Sequence, residues 1–166
     1  MPIRLVELDE ALIPDAKALV NRVFPHQSFD ERISFWVYRR RKSRAMKLLL
    51  RLYGSMDIYQ YWVALDEGGN ICGTTGIYSE KKDVHEAIWL SWFCVAPEMR
   101  GKGVGKLMLE FSIDKARALG KKYLRLYTSD DPNEAAAQGL YEKYGFKIIS
   151  QKKKRGHTLF YREKAL

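Results

Sequence analysis

Cysteine and histidine are scarce in this sequence, and the few that occur are scattered. Cys72 and Cys94 form no Cys-x-x-Cys pair and lie in apolar stretches typical of strands, so we expect two buried free thiols instead of a disulfide. The three histidines, His26, His85 and His157, have no metal-ligand spacing with one another or with a cysteine. The sequence therefore predicts a fold that needs neither a disulfide nor a metal ion.

Long apolar runs are also missing. The segment from Met1 to Arg4 lacks the apolar core of a signal peptide, and no apolar run reaches the length needed to span a bilayer. We therefore expect a cytoplasmic protein without a membrane partner. The sequence has no internal repeat, low-complexity tract or linker, and its 166 residues suit one domain over residues 1–166.

Acidic residues are outnumbered, with 20 Asp and Glu against 29 Lys and Arg and a formal net charge of +9. Much of the excess lies in residues 39–44 and 152–155. Clusters of this kind bind nucleic-acid phosphates, but no nucleic-acid module that we recognise accompanies them. A solvated face, or attraction of an acidic ligand, explains the same charge, so nucleic acid stays an alternative partner. Whether a second copy of the chain is a partner also stays open.

Apolar periodicity predicts a chain of mixed helices and strands. Strands are expected at residues 3–8, 58–65, 71–78, 87–95, 123–128, 146–151 and 158–162. Helices are expected at residues 11–23, from 28 to 54 as one helix or two joined near 41–43, at 104–119 and at 131–144. The run 87–95 has almost no polar residue except Ser91, which predicts a central strand buried on both faces.

A glycine-rich joint connects that strand to the next helix. Its glycines are Gly101, Gly103 and Gly105, and its basic residues are Arg100, Lys102 and Lys106. Glycine removes the Cβ atom where a phosphate must approach the backbone, and the start of the helix offers unpaired N–H groups and the positive end of its dipole. The joint therefore predicts a site for a ligand that carries a pyrophosphate. The order strand, loop, helix, strand predicts a right-handed crossover, so strands 87–95 and 123–128 should be parallel.

Two motifs in this order resemble those of the GCN5-related N-acetyltransferases, the GNAT superfamily. Residues 100–105 are Arg-Gly-Lys-Gly-Val-Gly and fit the pattern Arg/Gln-x-x-Gly-x-Gly/Ala, while residues 140–146 are Leu-Tyr-Glu-Lys-Tyr-Gly-Phe and fit Leu-Tyr-x-x-x-Gly-Phe. The resemblance covers essentially the whole chain. It implies an α/β (α+β) GNAT fold, with a mixed, mostly antiparallel twisted sheet of about seven strands flanked by helices and a splayed parallel pair at the coenzyme A site.

The resemblance also implies an enzyme that transfers an acetyl group from acetyl-CoA to a primary amine, on a small molecule or a peptide, by direct attack in a ternary complex. The strand before the glycine joint would bind the pantetheine arm, and a donor on it would stabilise the charge that develops on the thioester oxygen. The backbone amides of residues 101–106 would hold the pyrophosphate. The predicted coenzyme A contacts are Phe93, Cys94, Val95, Arg100, Gly101, Lys102, Gly103, Val104, Gly105 and Lys106.

The resemblance assigns the general acid to Tyr141, whose hydroxyl would donate a proton to the departing sulfur. Glu86 and His85, at the start of the strand 87–95, are the candidates for the base that deprotonates the amine. Alternatively, both lie at an exposed strand entrance without a catalytic role. Asp57 is a weaker candidate. The hydroxyl of Ser91 is a poor base and is expected to bond a neighbouring backbone group.

One position departs from the family pattern. Many members carry an Asn seven residues before the tyrosine of the second motif, where this sequence has Glu134, and Asn133 lies one residue further away. An additional alanine in the run 135–137 would explain the offset. We therefore keep Asn133 among the predicted coenzyme A contacts.

The acceptor site is the least determined part of the prediction. Phe29, Ile33, Trp36 and Val37 share one helical face, which indicates core packing or, alternatively, a wall of the acceptor pocket. The other candidates for this pocket are Tyr59, Tyr61 and Trp62 on the hairpin. The rings of Trp89 and Trp92 either attract an acceptor ammonium group by cation–π interaction or, more often for such residues, pack in the core.

Two other interpretations stay open. A Rossmann-type dinucleotide-binding protein would also join a strand to a helix through glycines, but its fingerprint is Gly-x-Gly-x-x-Gly in a repeating βαβ array. Here the third glycine comes one residue early, and the array does not repeat. A basic coenzyme A-binding or nucleic-acid-binding module without transferase activity would keep the fold and use the two basic clusters.

Overall fold

The computed structural model describes residues 2–25, 27, 29–52, 55–154 and 156–166, with the backbone alone for 29–33, 51 and 55–59. The strands are β1 (Arg4–Glu7), β2 (Ser55–Leu65), β3 (Ile71–Glu80), β4 (Ala87–Val95), β5 (Tyr123–Ser129), β6 (Lys147–Lys154) and β7 (His157–Ala165). The helices are α1 (Ile13–Val23), α2 (Phe29–Arg40), α3 (Arg44–Leu52), α4 (Val104–Ala118) and α5 (Ala135–Lys143), with short 3₁₀ turns at Pro97–Met99 and Pro132–Glu134.

The strands form a seven-stranded sheet in the order β1-β2-β3-β4-β5-β7-β6. Every neighbouring pair is antiparallel except β4 and β5, which are parallel because α4 crosses between them. The predicted fold class, a mixed and mostly antiparallel sheet with one parallel pair, is confirmed. The helical region before β2 is two helices, which decides between the two alternatives that the sequence left open.

The parallel pair separates after a short contact. Ala87 to Trp89 pair with Tyr123 to Arg125, and the pairing of β4 with β5 covers only these residues. Further along, β4 contains a β-bulge, because Ser91 faces Gly76 and Cys94 faces Thr74, so that Trp92 and Phe93 together oppose one β3 residue. Trp92 has φ 46, a left-handed conformation that is uncommon outside glycine. The splay predicted for this pair is therefore present.

Helices cover both faces of the sheet. Tyr61 and Trp62 are consecutive on β2 and belong to different hydrophobic clusters, because neighbouring side chains of a strand point to opposite faces. The first cluster packs α1, α2 and the first residues of α4, Val104 and Met108, on the sheet, and the second packs the rest of α4 and α5. Cys72 and Cys94 are free and buried, as predicted.

The aromatic stripe predicted on α2 is partly wrong. Trp36 is 47% exposed and lies under the guanidinium of Arg40, while Phe35 and Tyr38 pack against the sheet. Tyr38 also donates a hydrogen bond to the Leu8 carbonyl at 2.8 Å, which anchors the helix. The side chains of Phe29, Ile33, Asp57 and Tyr59, and residues His26, Tyr53 and Gly54, lie outside the described residues.

No helix within the described ranges is long and apolar enough to cross a membrane.

Candidate active site

The site begins with the gap between β4 and β5 beyond their last paired residues, Trp89 and Arg125. Beyond Trp89, the β4 backbone no longer pairs with β5, so the groups of residues 90–95 that point toward β5 face this gap. The bulge also divides the side chains, because Phe93 contacts α5 while Trp92 contacts α2. The strand segment that is predicted to bind the pantetheine arm, with Phe93, Cys94 and Val95, therefore lies along the gap between β4 and β5.

A row of unpaired amides lies at the end of β4. Arg100 N–H donates to the Pro97 carbonyl at 3.3 Å, and Leu107 N–H donates to the Gly103 carbonyl at 3.0 Å. Among the described residues, the amides of residues 101–106 between them have no hydrogen-bond acceptor. Unpaired amides at the start of a helix form an anion-binding cradle.

Two glycines give the cradle its shape. Gly101 and Gly103 have φ 73 and φ 83, in the left-handed region, and no atom lies within 4 Å of where a Cβ would stand on either. Val104 is buried, which anchors the start of α4, and Gly105 lies against Leu140 and Val95. The cradle is therefore fixed to the protein by packing at Val104 and Gly105, and it has free space around Gly101 and Gly103. The basic residues around it, Arg100, Lys102 and Lys106, are all exposed.

Tyr141 lies between the gap and the second hydrophobic cluster. Its residue is 5% exposed, and its ring lies 5.7 Å from the ring of Phe93 and 5.6 Å from that of Phe146. Burial raises the pKa of Tyr141 far above its ordinary value, and the nearby Glu134 and Cys94 add to this effect. The hydroxyl is therefore protonated at neutral pH and can donate a proton or a hydrogen bond.

The hydroxyl of Tyr141 has no hydrogen-bond partner among the described residues, although the residue is buried in the second hydrophobic cluster. By contrast, the hydroxyl of Tyr144 donates to Glu110 at 2.6 Å on the outside of α5. The two tyrosines of the second motif therefore differ: Tyr144 supports the contact between α4 and α5, and Tyr141 keeps its hydroxyl available for a ligand.

The position of α5 depends on a buried arginine of β7. Arg162 is 2% exposed and donates to Gln138 at 3.0 Å and to Glu142 at 2.9 Å. Gln138 in turn donates to the carbonyl of Ser129, at the end of β5. These bonds hold the helix that carries Tyr141 over the parallel pair. No local pattern marks Arg162 for this role, so the sequence analysis missed it.

A family model of the acetyltransferase (GNAT) domain matches residues 57–148, a range that includes the splayed strand, the cradle and Tyr141. The chain belongs to the GNAT acetyltransferase family. The predicted membership is thereby confirmed.

Individual proteins agree with this assignment. The chain is 31% identical over 107 residues to the Probable N-acetyltransferase 14 of Xenopus tropicalis, a match covering 64% of this chain and 50% of that protein. It is 36% identical over 61 residues to the chloroplastic GCN5-related N-acetyltransferase 6 of Arabidopsis thaliana, covering 37% of this chain and 20% of that protein. The chain thus matches half or less of the length of these curated relatives.

A solved structure of a GNAT-family acetyltransferase from Staphylococcus aureus Mu50 has the same fold. It superposes with a TM-score of 0.73, at 18% identity, over 98% of this chain and 99% of the other. Such low identity supports the architecture of the GNAT domain and not its substrate.

Glu86 lies at the closed end of the parallel pair of this GNAT domain. Its carboxylate accepts a hydrogen bond from Arg125 at 2.9 Å, and the same guanidinium binds Asp83 at 2.6 Å and Glu163 at 2.7 Å. At a strand rise of about 3.3 Å per residue, Glu86 lies roughly 20 Å along the chain from Phe93. The structure therefore does not bring Glu86 together with Tyr141, and its role as a base stays a prediction.

Asn133 is exposed on the 3₁₀ turn before α5, and its backbone N–H donates to Asp131 at 2.8 Å. The position with the family's Asn spacing, Glu134, instead accepts hydrogen bonds from the N–H and hydroxyl of Ser129 at 2.9 and 2.8 Å. The Glu134 carboxylate thus caps the polar groups at the last residue of β5. A contact between Asn133 and coenzyme A stays a prediction.

The face opposite α4 carries polar groups that the sequence analysis assigned differently. The Ser91 hydroxyl lies 3.2 Å from the Tyr61 hydroxyl, so its partner is a side chain and not the expected backbone group. The Trp92 indole N–H donates to the Ser34 hydroxyl at 2.8 Å, and its ring stacks on Phe35 at 6.0 Å. The polar interruption at Ser91 in an apolar strand was the available signal for this cluster.

Proposed function

We propose that this protein is an N-acetyltransferase that transfers the acetyl group of acetyl-CoA to a primary amine by direct attack in a ternary complex. The observation that carries the proposal is the splay of β4 from β5 immediately before six consecutive unpaired amides. A cradle for phosphate and an adjoining slot between strands match the two ends of coenzyme A, a pyrophosphate and a pantetheine arm.

Different residues would bind the different parts of acetyl-CoA. The amides of residues 101–106 would bind the pyrophosphate, with Arg100, Lys102 and Lys106 adding positive charge. The β4 backbone at Phe93 to Val95 would bind the pantetheine arm, and an N–H of this strand would donate to the acyl oxygen as negative charge develops there. Acetyl-CoA itself supplies the activated acetyl thioester.

Tyr141 would donate its proton to the sulfur as the thiolate departs. The support is its protonated state at neutral pH and a hydroxyl without a partner beside Phe93. For the base, Glu86 is the candidate to test, although its ion pair with Arg125 supports a structural role better. Glu86→Gln distinguishes the two roles, because loss of a general base lowers turnover by about a hundredfold or more.

The acceptor would be the amine of a small molecule or a peptide. It would approach from the face that carries Ser91, Trp92 and Tyr61, because the donor occupies the α4 side of the splay. Aromatic rings on this face suit an ammonium group. We further propose a cytoplasmic location for the reaction.

A thiol-release assay tests the proposed activity. The purified chain is mixed with acetyl-CoA and, in turn, small amines, amino acids, aminoglycosides, polyamines and peptides with free N-termini. We expect at least one acceptor class to release free coenzyme A above the hydrolysis rate. Coenzyme A binding without release for any acceptor would instead support a binding module, and preferential binding of NAD would support the Rossmann-type alternative.

A further inference from the structure

Helix α3 carries an apolar face that the fold does not use. Leu48, Leu49 and Leu52 are 61%, 43% and 76% exposed. At about 100° per residue, they share a stripe roughly 100° wide on one side of the helix. On the inward side of α3, Met46 is buried and Leu50 is half-buried. We call Leu48, Leu49 and Leu52 the leucine face.

Positive charge lies next to the leucine face. Arg44 and Lys47 are exposed on the same helix, about 40° and 100° around its axis from Leu48 on the side away from Leu49. Lys42 is exposed in the turn before α3. Within the part of the chain that the structure describes, none of these three has an ion-pair partner. Unlike Arg41, which binds Glu7 and stacks over Tyr38, they therefore do not serve the fold.

We propose that α3 docks reversibly on an anionic bilayer surface. The leucine face would enter the boundary between headgroups and acyl chains, while Arg44, Lys47 and Lys42 would contact lipid phosphates. An amphipathic helix with leucines on one side and basic residues on the other has the chemistry of such a surface. The sequence-based expectation of no membrane partner rested on the absence of a spanning run, which a helix lying in the interface does not need.

Charge complementarity favours the bilayer over the other occupants of this face. A symmetric pair of copies would bring two sets of these basic residues to one apolar interface, and α3 carries no carboxylate to offset them. Nucleic acid would satisfy Arg44 and Lys47 but offers no apolar surface for three exposed leucines. A bilayer of anionic lipid satisfies both groups. The proposal is independent of the proposed acetyl transfer.

Vesicle flotation of the full chain tests the proposal. We expect the protein to float with vesicles of phosphatidylcholine containing roughly 30% phosphatidylserine, and not with phosphatidylcholine alone. Raising the salt to about 0.5 M should release most of the protein, because the headgroup attraction is screened. Leu48→Ser/Leu52→Ser and, separately, Arg44→Gln/Lys47→Gln should each lower the bound fraction about tenfold.

Two matched variants control for position. Lys152→Gln/Lys153→Gln removes the same charge from β6, and Leu119→Ser removes an exposed leucine, 41% accessible, at the end of α4. Both should float like the unmodified chain, and the melting temperature of each variant shows whether it is folded.

Three results would overturn the proposal. The first is equal flotation with neutral and anionic vesicles, and the second is an equal loss for the β6 variant, which would indicate net charge alone. The third is failure of the folded chain to float with the anionic vesicles. In that case, a dimer mass that Leu48→Ser/Leu52→Ser abolishes would indicate a second copy on this face, and retention on an oligonucleotide that Arg44→Gln/Lys47→Gln abolishes would indicate nucleic acid. Thiol release measured on the same variants keeps this result separate from the proposed activity.

Discussion

Single side chains decide the chemistry at the gap between β4 and β5. Tyr141 illustrates how burial and availability combine, because its ring packs between Phe93 and Phe146 while its hydroxyl has no partner among the described residues. Glu134 and Cys94 raise the pKa of this hydroxyl further, and Arg162 opposes them. The environment therefore keeps the proton on Tyr141 at neutral pH, so that the hydroxyl can donate a hydrogen bond to a departing thiolate.

We expect Tyr141→Phe to lower turnover about a hundredfold while leaving the affinity for coenzyme A unchanged, because only the transferable proton is lost. Steady-state kinetics and calorimetric titration with coenzyme A measure the two quantities. Tyr144→Phe is the matched control, since the Tyr144 hydroxyl bonds Glu110 on the outside of α5. Turnover that is equal in Tyr141→Phe and the unmodified chain would exclude the acid role.

The raised pKa of Tyr141 also makes stability depend on alkaline pH. Below about pH 10 the tyrosine is neutral in the folded and unfolded chain alike, whereas above it the unfolded chain releases the proton first. The unmodified protein should therefore lose stability relative to Tyr141→Phe by about 1.4 kcal/mol per pH unit above that point. Urea unfolding of both proteins at neutral and alkaline pH measures this difference, and parallel curves would contradict it.

At the scale of elements, the joint between β4 and α4 is the feature that carries the proposed coenzyme A site. Gly101 and Gly103 take left-handed conformations that direct the amides of residues 101–106 toward open space. The pairing of β4 with β5 ends at Trp89, three residues before the bulge at Trp92. The gap between β4 and β5 therefore leads directly to the cradle of residues 101–106. Neither the strand pair nor the glycine joint would form this combination by itself.

Gly103→Ala should weaken coenzyme A binding about tenfold, because a Cβ at positive φ strains the cradle by about 1–2 kcal/mol. Gly120→Ala is the matched control, since Gly120 has φ 67 at the other end of α4 and equally open surroundings. Both variants should lose similar thermal stability, and only Gly103→Ala should lose affinity in a calorimetric titration. Equal affinities would show that the amides of residues 101–106 do not hold the ligand.

At the scale of the whole molecule, the two basic clusters have different surroundings. Lys152, Lys153 and Lys154 lie on β6, an exposed edge strand, where lysine side chains discourage pairing with another sheet. Arg155 lies outside the described residues. The cluster around α2 and α3 instead adjoins exposed leucines. The lysines of β6 therefore account for part of the net charge of +9 by protecting a sheet edge, and the basic residues near α3 account for another part, which belongs to the proposed docking face.

The closed end of the parallel pair stabilises the fold as a whole. Arg125 joins β5 to β7 through Glu163 and to the segment before β4 through Asp83 and Glu86. Arg125→Met should lower the free energy of unfolding by about 3–5 kcal/mol, because it leaves the buried Asp83 without its cation.

Glu86→Gln provides the comparison for Arg125→Met. The Glu86 side chain is 45% exposed, so its ion pair is expected to contribute less than about 1 kcal/mol. Urea unfolding of the two variants measures both losses. If Glu86→Gln lowered the free energy of unfolding as much as Arg125→Met, the conclusion that the buried Asp83 contributes more than the exposed Glu86 would be wrong.

The sequence alone determined the family, the order of the elements and the position of the cradle. These properties depend on local patterns: apolar periodicity, glycine spacing, and the signature that contains Tyr141. Local patterns report backbone preference and burial, so they predicted β4 as a central strand, which the sheet order confirms, and the glycine joint as an anion site, which stays a prediction.

Only the tertiary structure decided which side chains meet. In the structure, Glu86 forms an ion pair with Arg125 at the end of the parallel pair away from Phe93 and Tyr141. On α2, Phe35 packs against the sheet and Trp36 is exposed. It also brought the buried Arg162 of β7 beneath α5. The physical reason is that strand register, the bulge at Trp92 and the rotation of each helix depend on contacts between residues far apart in the chain, and no local pattern records them.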